Sequence, residues 1–142
     1  MSVMEMKNDI RAENWAHLQD LLFRDSYDQE ISRHRSPYVF RGLSHADYDL
    51  RSSLIRLGGD PAEMEKHLLR NFKKYAQKDL VDVDSVWNWL SIAQHHGLPT
   101  RLLDWTFSPY VALHFATHDY TKYDVDGVIW CIHFIKVRDL LP

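Results

Sequence analysis

Fourteen consecutive residues, Ala93 to Thr106 (Ala-Gln-His-His-Gly-Leu-Pro-Thr-Arg-Leu-Leu-Asp-Trp-Thr), carry two imidazoles, a guanidinium, a carboxylate, two hydroxyls and an indole. Groups of these kinds hold anions, hydrogen-bond sugars and amides, and stack on planar rings. A solvated loop would be richer in Gly, Ser, Asn and Lys. A packed core would penalise each of these polar groups unless it found a partner. The run therefore reads as a site in a cleft, with a helix stop at Gly97 and Pro99 in its middle.

Several residues keep two readings. Arg41 ends an expected strand and precedes Gly42, where a backbone or a ligand can approach closely. Its planar fork of donors suits a phosphate or pyrophosphate. The plainer alternative is an internal ion pair, for instance with Asp104. His95 and His96, if helical, point about 100° apart, so one faces a ligand while the other caps or packs. Gln94 and His95 suit a sugar or an amide. Alternation would put Thr100, Leu102 and Asp104 on one side of an extended segment and Arg101, Leu103 and Trp105 on the other. Either Arg101 pairs with Asp104 and pins the loop, or Asp104 and Thr106 face a ligand while Trp105 stacks on its ring. His114 and His118 have the spacing of a metal pair but lack the zinc-protease glutamate and any signalled third ligand. The expectation there is one packed histidine, one exposed, and no metal. Trp87, Trp89 and Trp130 read as core, and Cys131 as a small buried hydrophobe.

The elements that must position these residues are interspersed helices and strands. An amphipathic helix is expected over 14–23, with Asn14 as cap and Trp15, Leu18, Leu21 and Leu22 on one face. Residues 26–36 are charged and read as a loop. Residues 37–41 read as a strand ending at Gly42, and 48–54 are ambiguous. Asp60-Pro61-Ala62-Glu63 starts a helix running to about Lys78, with Met64, His67 or Leu68, Phe72 and Tyr75 inward. A third helix, from Asp84 or Ser85 to Gly97, has so little polar face that it should be buried on most sides. Arg101-Leu102-Leu103 is a strand candidate. Ser108-Pro109 opens a fourth helix to about His118, residues 123–127 form a turn, and 127–135 read as the clearest strand. The fold class is α+β, a small mixed or antiparallel sheet packed with about four helices.

Composition narrows the function classes. The 142 residues suggest one domain with a real core. Lys and Arg number 17 against 20 Asp and Glu, a net charge of -3 that gives no signature of nonspecific nucleic-acid binding. One cysteine precludes an internal disulfide and a Cys-rich zinc site, and makes the cytoplasm the default location. The first eleven residues lack the apolar stretch of a signal peptide, and no run reaches membrane-spanning length, so no membrane is expected. There is no Gly-rich phosphate loop. The strand at 127–135 lies so near the end that the chain is expected either to be a piece of a longer protein or to pair that strand back into its own sheet.

In order along the chain come Phe40-Arg41-Gly42, Ser53-Leu54-Ile55-Arg56, the run Gln94 to Thr106, and Ser108-Pro109 with Ala112-Leu113-His114-Phe115-Ala116. This series resembles the FRG-domain family, named for its Phe-Arg-Gly triplet, over 39–134. The family occurs in bacterial and phage proteins, which implies a role in bacterial or phage conflict, but it implies little about activity. The order of elements is also similar to the core of ADP-ribosyltransferases that use an Arg, a Ser-Thr-Ser segment and a late Glu. That resemblance implies NAD as substrate and a protein or nucleic-acid acceptor. Arg41 would bind the NAD phosphates, and Thr106 and Asp104 would take the catalytic places of the last hydroxyl and the first serine. Tyr110 or His95 would line the nicotinamide pocket, and Gly42, Gln94, Thr100, Arg101 and Trp105 complete the expected binding set. The late Glu has no counterpart; after Phe134 the only acid is Asp139. The alternative is a non-catalytic module that recognises a nucleotide, a nucleic-acid end or a partner protein. Either reading expects Arg41 and the trio Asp104, Trp105 and Thr106 to share one hollow.

Overall fold

The structure, a computed structural model, describes residues 9–76 and 83–140. Its elements are α1 (Trp15–Leu22), β1 (Tyr27–Asp28), β2 (Arg33–His34), β3 (Tyr38–Leu43), α2 (Ser53–Arg56), α3 (Pro61–Tyr75), α4 (Val86–His95), α5 (Pro109–Thr117), a 3-10 turn (Tyr120–Lys122), β4 (Val128–His133) and α6 (Phe134–Arg138). The class is α+β, and both sheets are antiparallel pairs, β1 with β2 and β3 with β4. By contacts the chain divides into two compact units, 1–46 with 105–142, and 47–104.

In the first unit, β3 and β4 pair over their whole length, from Tyr38 opposite His133 to Leu43 opposite Val128. Directly opposed residues share a sheet face. Tyr38, Phe40 and Gly42 therefore share a face with His133, Cys131 and Ile129, while Val39, Arg41 and Leu43 share the other with Ile132, Trp130 and Val128. The first face carries the core: Phe40 is buried with Leu22 of α1 and Ala112 of α5. Helix α5 packs closely at two glycines, Gly42 in β3 and Gly127 just before β4. A Cβ on Gly42 would sit 1.7 Å from the Ala112 carbonyl oxygen, and one on Gly127 would sit 2.7 Å from that of Ala116. Alanines one helical turn apart thus meet two positions without side chains, and backbone packs on backbone. The close approach that Gly42 permits is made by a helix.

Helix starts follow their caps. Asn14 accepts from the His17 amide, Asp60 from the amides of Ala62 and Glu63, Ser85 from Asn88, and Ser108 from Val111. In the second unit, α3 and α4 pack with Phe72 edge-on to Trp89 at 6.3 Å between centroids. Leu54 of α2, Trp89, Leu90 and Ala93 are buried.

Several expectations are corrected. Trp15 and Tyr75 are exposed, and the end of α3 expected at Lys78 lies outside the described residues. Helix α4 is not buried on most sides, since Trp87 is 65% exposed. Residues 26–36 hold a short hairpin that follows Ser26, whose hydroxyl donates to the Phe23 carbonyl at 2.6 Å. Residues 101–103 are not a strand; the extended pairing falls at Thr106. Cys131 is exposed, because α5 covers mainly β3 rather than β4. After His133 the chain turns into α6, with the His133 Nδ1 accepting from the Lys136 amide.

Candidate functional site

Arg41 is placed by the triplet's own strand. Phe40 exchanges both backbone hydrogen bonds with Thr106, at 2.8 and 2.9 Å, so the segment around Thr106 adds a third, one-residue strand beside β3. The bridge sets Thr106 on the Phe40 face. Alternation then puts Trp105 on the Arg41 face, one register step from the bridge. Trp130 of β4 stands opposite Arg41 on the other side. Arg41 is thus flanked in register by Trp130 and Trp105 on one sheet face. The Trp130 Nε1–H is buried and meets no acceptor among the described residues. Such a donor costs about 1–3 kcal/mol until an acceptor satisfies it.

Thr106 also shapes the entry to α5: its Oγ1 accepts from the Ser108 amide at 3.0 Å. Tyr110, in the first turn of α5, accepts from Gln19 Nε2 at 3.1 Å and packs its ring on Phe23 at 5.5 Å. Its side chain serves the α1–α5 contact.

The second unit holds the rest of the run. Helix α4 ends in a Schellman cap: the Gly97 amide donates to the Gln94 carbonyl and the Leu98 amide to the Ala93 carbonyl, both at 2.9 Å, with Gly97 at φ +85°. This cap turns the chain back, and Thr100 becomes fully buried. The Thr100 hydroxyl donates to Gln94 Oε1 and accepts from the Leu102 amide at 3.2 Å. Gln94 Nε2 donates to Asp104 Oδ1 at 2.5 Å. The amide of Gln94 is therefore read from both ends, and through it a buried hydroxyl orients the exposed carboxylate of Asp104. His95 and His96 are both exposed, with rings edge-on at 5.5 Å, and His96 also packs on Phe72.

Arg101 does not pair with Asp104. It holds Glu65 of α3, which accepts from the Arg101 amide at 3.0 Å and from its Nε at 2.5 Å, with Nη2 completing an ion pair. The hydrogen bond to Glu65, then its charge, raises the Arg101 pKa above its ordinary value. Glu65 is 4% exposed, whereas the periodicity marks Met64, His67 or Leu68, Phe72 and Tyr75 inward. The sequence signal for it is an acid at helical spacing among Met64, Leu68 and Phe72.

The structure therefore groups the expected site residues in two sets. Arg41, Gly42, Trp105, Thr106 and Tyr110 belong to the first unit, and Gln94, His95, Thr100, Arg101 and Asp104 to the second. Trp130, expected as core, joins the first set by register.

The family model of the FRG domain matches residues 36–125, well over half of the chain. The chain belongs to the FRG-domain family. The match spans the Phe-Arg-Gly triplet of β3, the capped end of α4 and the whole of α5. No curated protein and no solved structure matches the chain. No helix among the described residues is long and apolar enough to cross a membrane.

Proposed function

We propose that this FRG domain recognises a nucleotide-type small molecule, with NAD as the ligand, on the β3 face that carries Arg41. The observation that supports this reading is the register: Arg41 opposite Trp130, with Trp105 one step from the Phe40–Thr106 bridge on the other side. A guanidinium offers a planar fork to phosphate oxygens. Indoles stack on planar rings of bases and nicotinamide. The Trp130 N–H, across the strand pair from Arg41, is a buried donor with no acceptor among the described residues. A ligand of the native state raises stability by mass action, about 2.7 kcal/mol at one hundred times its dissociation constant. NAD is expected to raise the melting temperature of the wild type and not that of Arg41→Ala. An equal rise in both proteins contradicts the assignment to Arg41; a rise with another nucleotide but none with NAD corrects the ligand and keeps the class.

A second reading, transfer of ADP-ribose to a protein or nucleic-acid acceptor, is favoured by one observation, the steering of the Asp104 carboxylate by Gln94. Breaking the bond between nicotinamide and ribose develops an oxocarbenium-like cation, which a fixed carboxylate stabilises. Release of free nicotinamide from labelled NAD, lost in Asp104→Asn, is the expected result. No release by the wild type leaves binding alone.

A further inference from the structure

His114 and His118 stand one turn apart at the C-terminal end of α5, and both are exposed, where their spacing had suggested one packed and one exposed. Their ring centroids lie 5.7 Å apart, with planes inclined by 34°. The Nδ1 of His118 is 3.0 Å from the carbonyl oxygen of Phe115. A carbonyl only accepts, so Nδ1 carries the hydrogen, and in the neutral ring Nε2 keeps its lone pair. Metal-ligating histidines are held in this way, one ring N–H on a carbonyl and the other nitrogen on the ion. The same hydrogen bond satisfies one of the carbonyls that the end of α5 leaves without a helical partner. The Phe115 ring lies 5.6 Å from His114 and 5.9 Å from His118 and walls one side of the pair.

We propose that His114 and His118 form a two-imidazole site for a borderline divalent transition-metal ion such as Zn2+ or Ni2+. At a metal–nitrogen distance of about 2.1 Å an ion sits about 3.2 Å from each ring centroid. Centroids 5.7 Å apart then subtend about 125° at that ion, and a small side-chain rotation closes this toward the tetrahedral value. No further His, Cys, Asp or Glu completes a set of three among the described residues. Water fills the remaining positions and the ion exchanges freely. Neutral imidazoles select borderline ions over Mg2+ and Ca2+, which take oxygen ligands. An ion bridging positions four apart clips the last turn of α5, the helix that lies on Gly42.

The test is the melting temperature of the full chain with Zn2+, Ni2+, Co2+, Mn2+ and Mg2+ as chlorides. Zn2+ and Ni2+ are expected to raise it, Co2+ less and Mn2+ less again, following the Irving–Williams order, with no effect of Mg2+. His114→Ala and His118→Ala are each expected to lose the rise while melting normally without metal. His67→Ala, which removes an imidazole beside Glu63 on α3, is expected to keep it. Paramagnetic broadening by Ni2+ of the His114 and His118 ring protons gives a second readout that does not depend on stability. A rise that survives both α5 substitutions, a rise lost in His67→Ala, or no rise with any ion overturns the proposal.

Discussion

Arg101 and Glu65, thirty-six positions apart, are joined three ways, through the Arg101 amide, its Nε and its Nη2. The arginine side chain is half exposed while the carboxylate is buried. The segment around Arg101 is therefore anchored to α3 by a charge that folding has withdrawn from water. Removing Arg101 leaves that carboxylate with no compensating cation. Exposed pairs are worth under about 1 kcal/mol and fully buried ones cost about 3–5 kcal/mol when broken, so this half-buried pair falls near 2 kcal/mol. Urea unfolding is expected to show that loss for Arg101→Ala. Arg101→Lys is expected to recover little of it, since an ammonium cannot reproduce the guanidinium fork. Full stability in Arg101→Ala contradicts the anchoring role.

The contact of α5 on β3 gives a steric expectation. A methyl at Gly42 would overlap the Ala112 carbonyl, at 1.7 Å, and no side-chain rotation relieves a backbone clash. Gly42→Ala is expected to cost about 3 kcal/mol or more, or to prevent folding. Gly127→Ala, with its Cβ 2.7 Å from the Ala116 carbonyl oxygen, is expected to cost less. Denaturant midpoints of the two variants should rank in that order.

Gly97 acts through its backbone instead. Nothing lies within 4 Å of a Cβ built there, but its φ is +85°. Gly97→Ala is expected to cost about 1 kcal/mol through left-handed strain, and Gly97→Asn less, because asparagine tolerates that region. Equal stability of all three would contradict the Schellman geometry at the end of α4.

Acid sensitivity is expected at the 3-10 turn. Asp119 accepts from Lys122 and Thr121, and these hydrogen bonds, Lys122 first, lower its pKa from 3.8 to about 2. The Lys122 ammonium also donates to Ser44 just past β3, at 3.1 Å. A carboxyl whose pKa is lower in the folded state binds protons more readily in the unfolded one. Its contribution is complete above pH 3.8 and disappears as pH falls to about 2. The stability difference between wild type and Asp119→Asn is expected to shrink across that window. A difference constant from pH 5 to pH 2 removes the carboxylate from the account.

Much of the framework was legible because local rules set it. Asn14, Asp60, Ser85 and Ser108 all cap helices where they stand in the sequence. The apolar run of β4 also reads directly as a strand. Depth was not legible. Trp15, Tyr75 and Trp87 follow helical spacing yet stay exposed, because periodicity gives a direction and tertiary packing decides what covers it. Glu65 was hidden because burying a carboxylate requires a partner, and that partner is distant in sequence. The hairpin of β1 and β2 was hidden because two-residue strands in a charged stretch carry no alternation. Of the candidate site, Arg41 and Trp105 stand out in the sequence by residue type. The place of Trp130 beside them needed the β3–β4 register.

Nucleotide recognition at Arg41 is tested most directly by calorimetric titration of NAD into wild type, Arg41→Ala and Trp130→Phe. The expected result is saturable binding by the wild type with one ligand per chain. Arg41→Ala should lose that binding while its circular-dichroism melt stays cooperative, and Trp130→Phe should weaken it by removing one N–H while keeping a ring. Binding of NAD by Arg41→Ala with wild-type affinity, or a wild type that binds neither NAD nor any other nucleotide, contradicts the account.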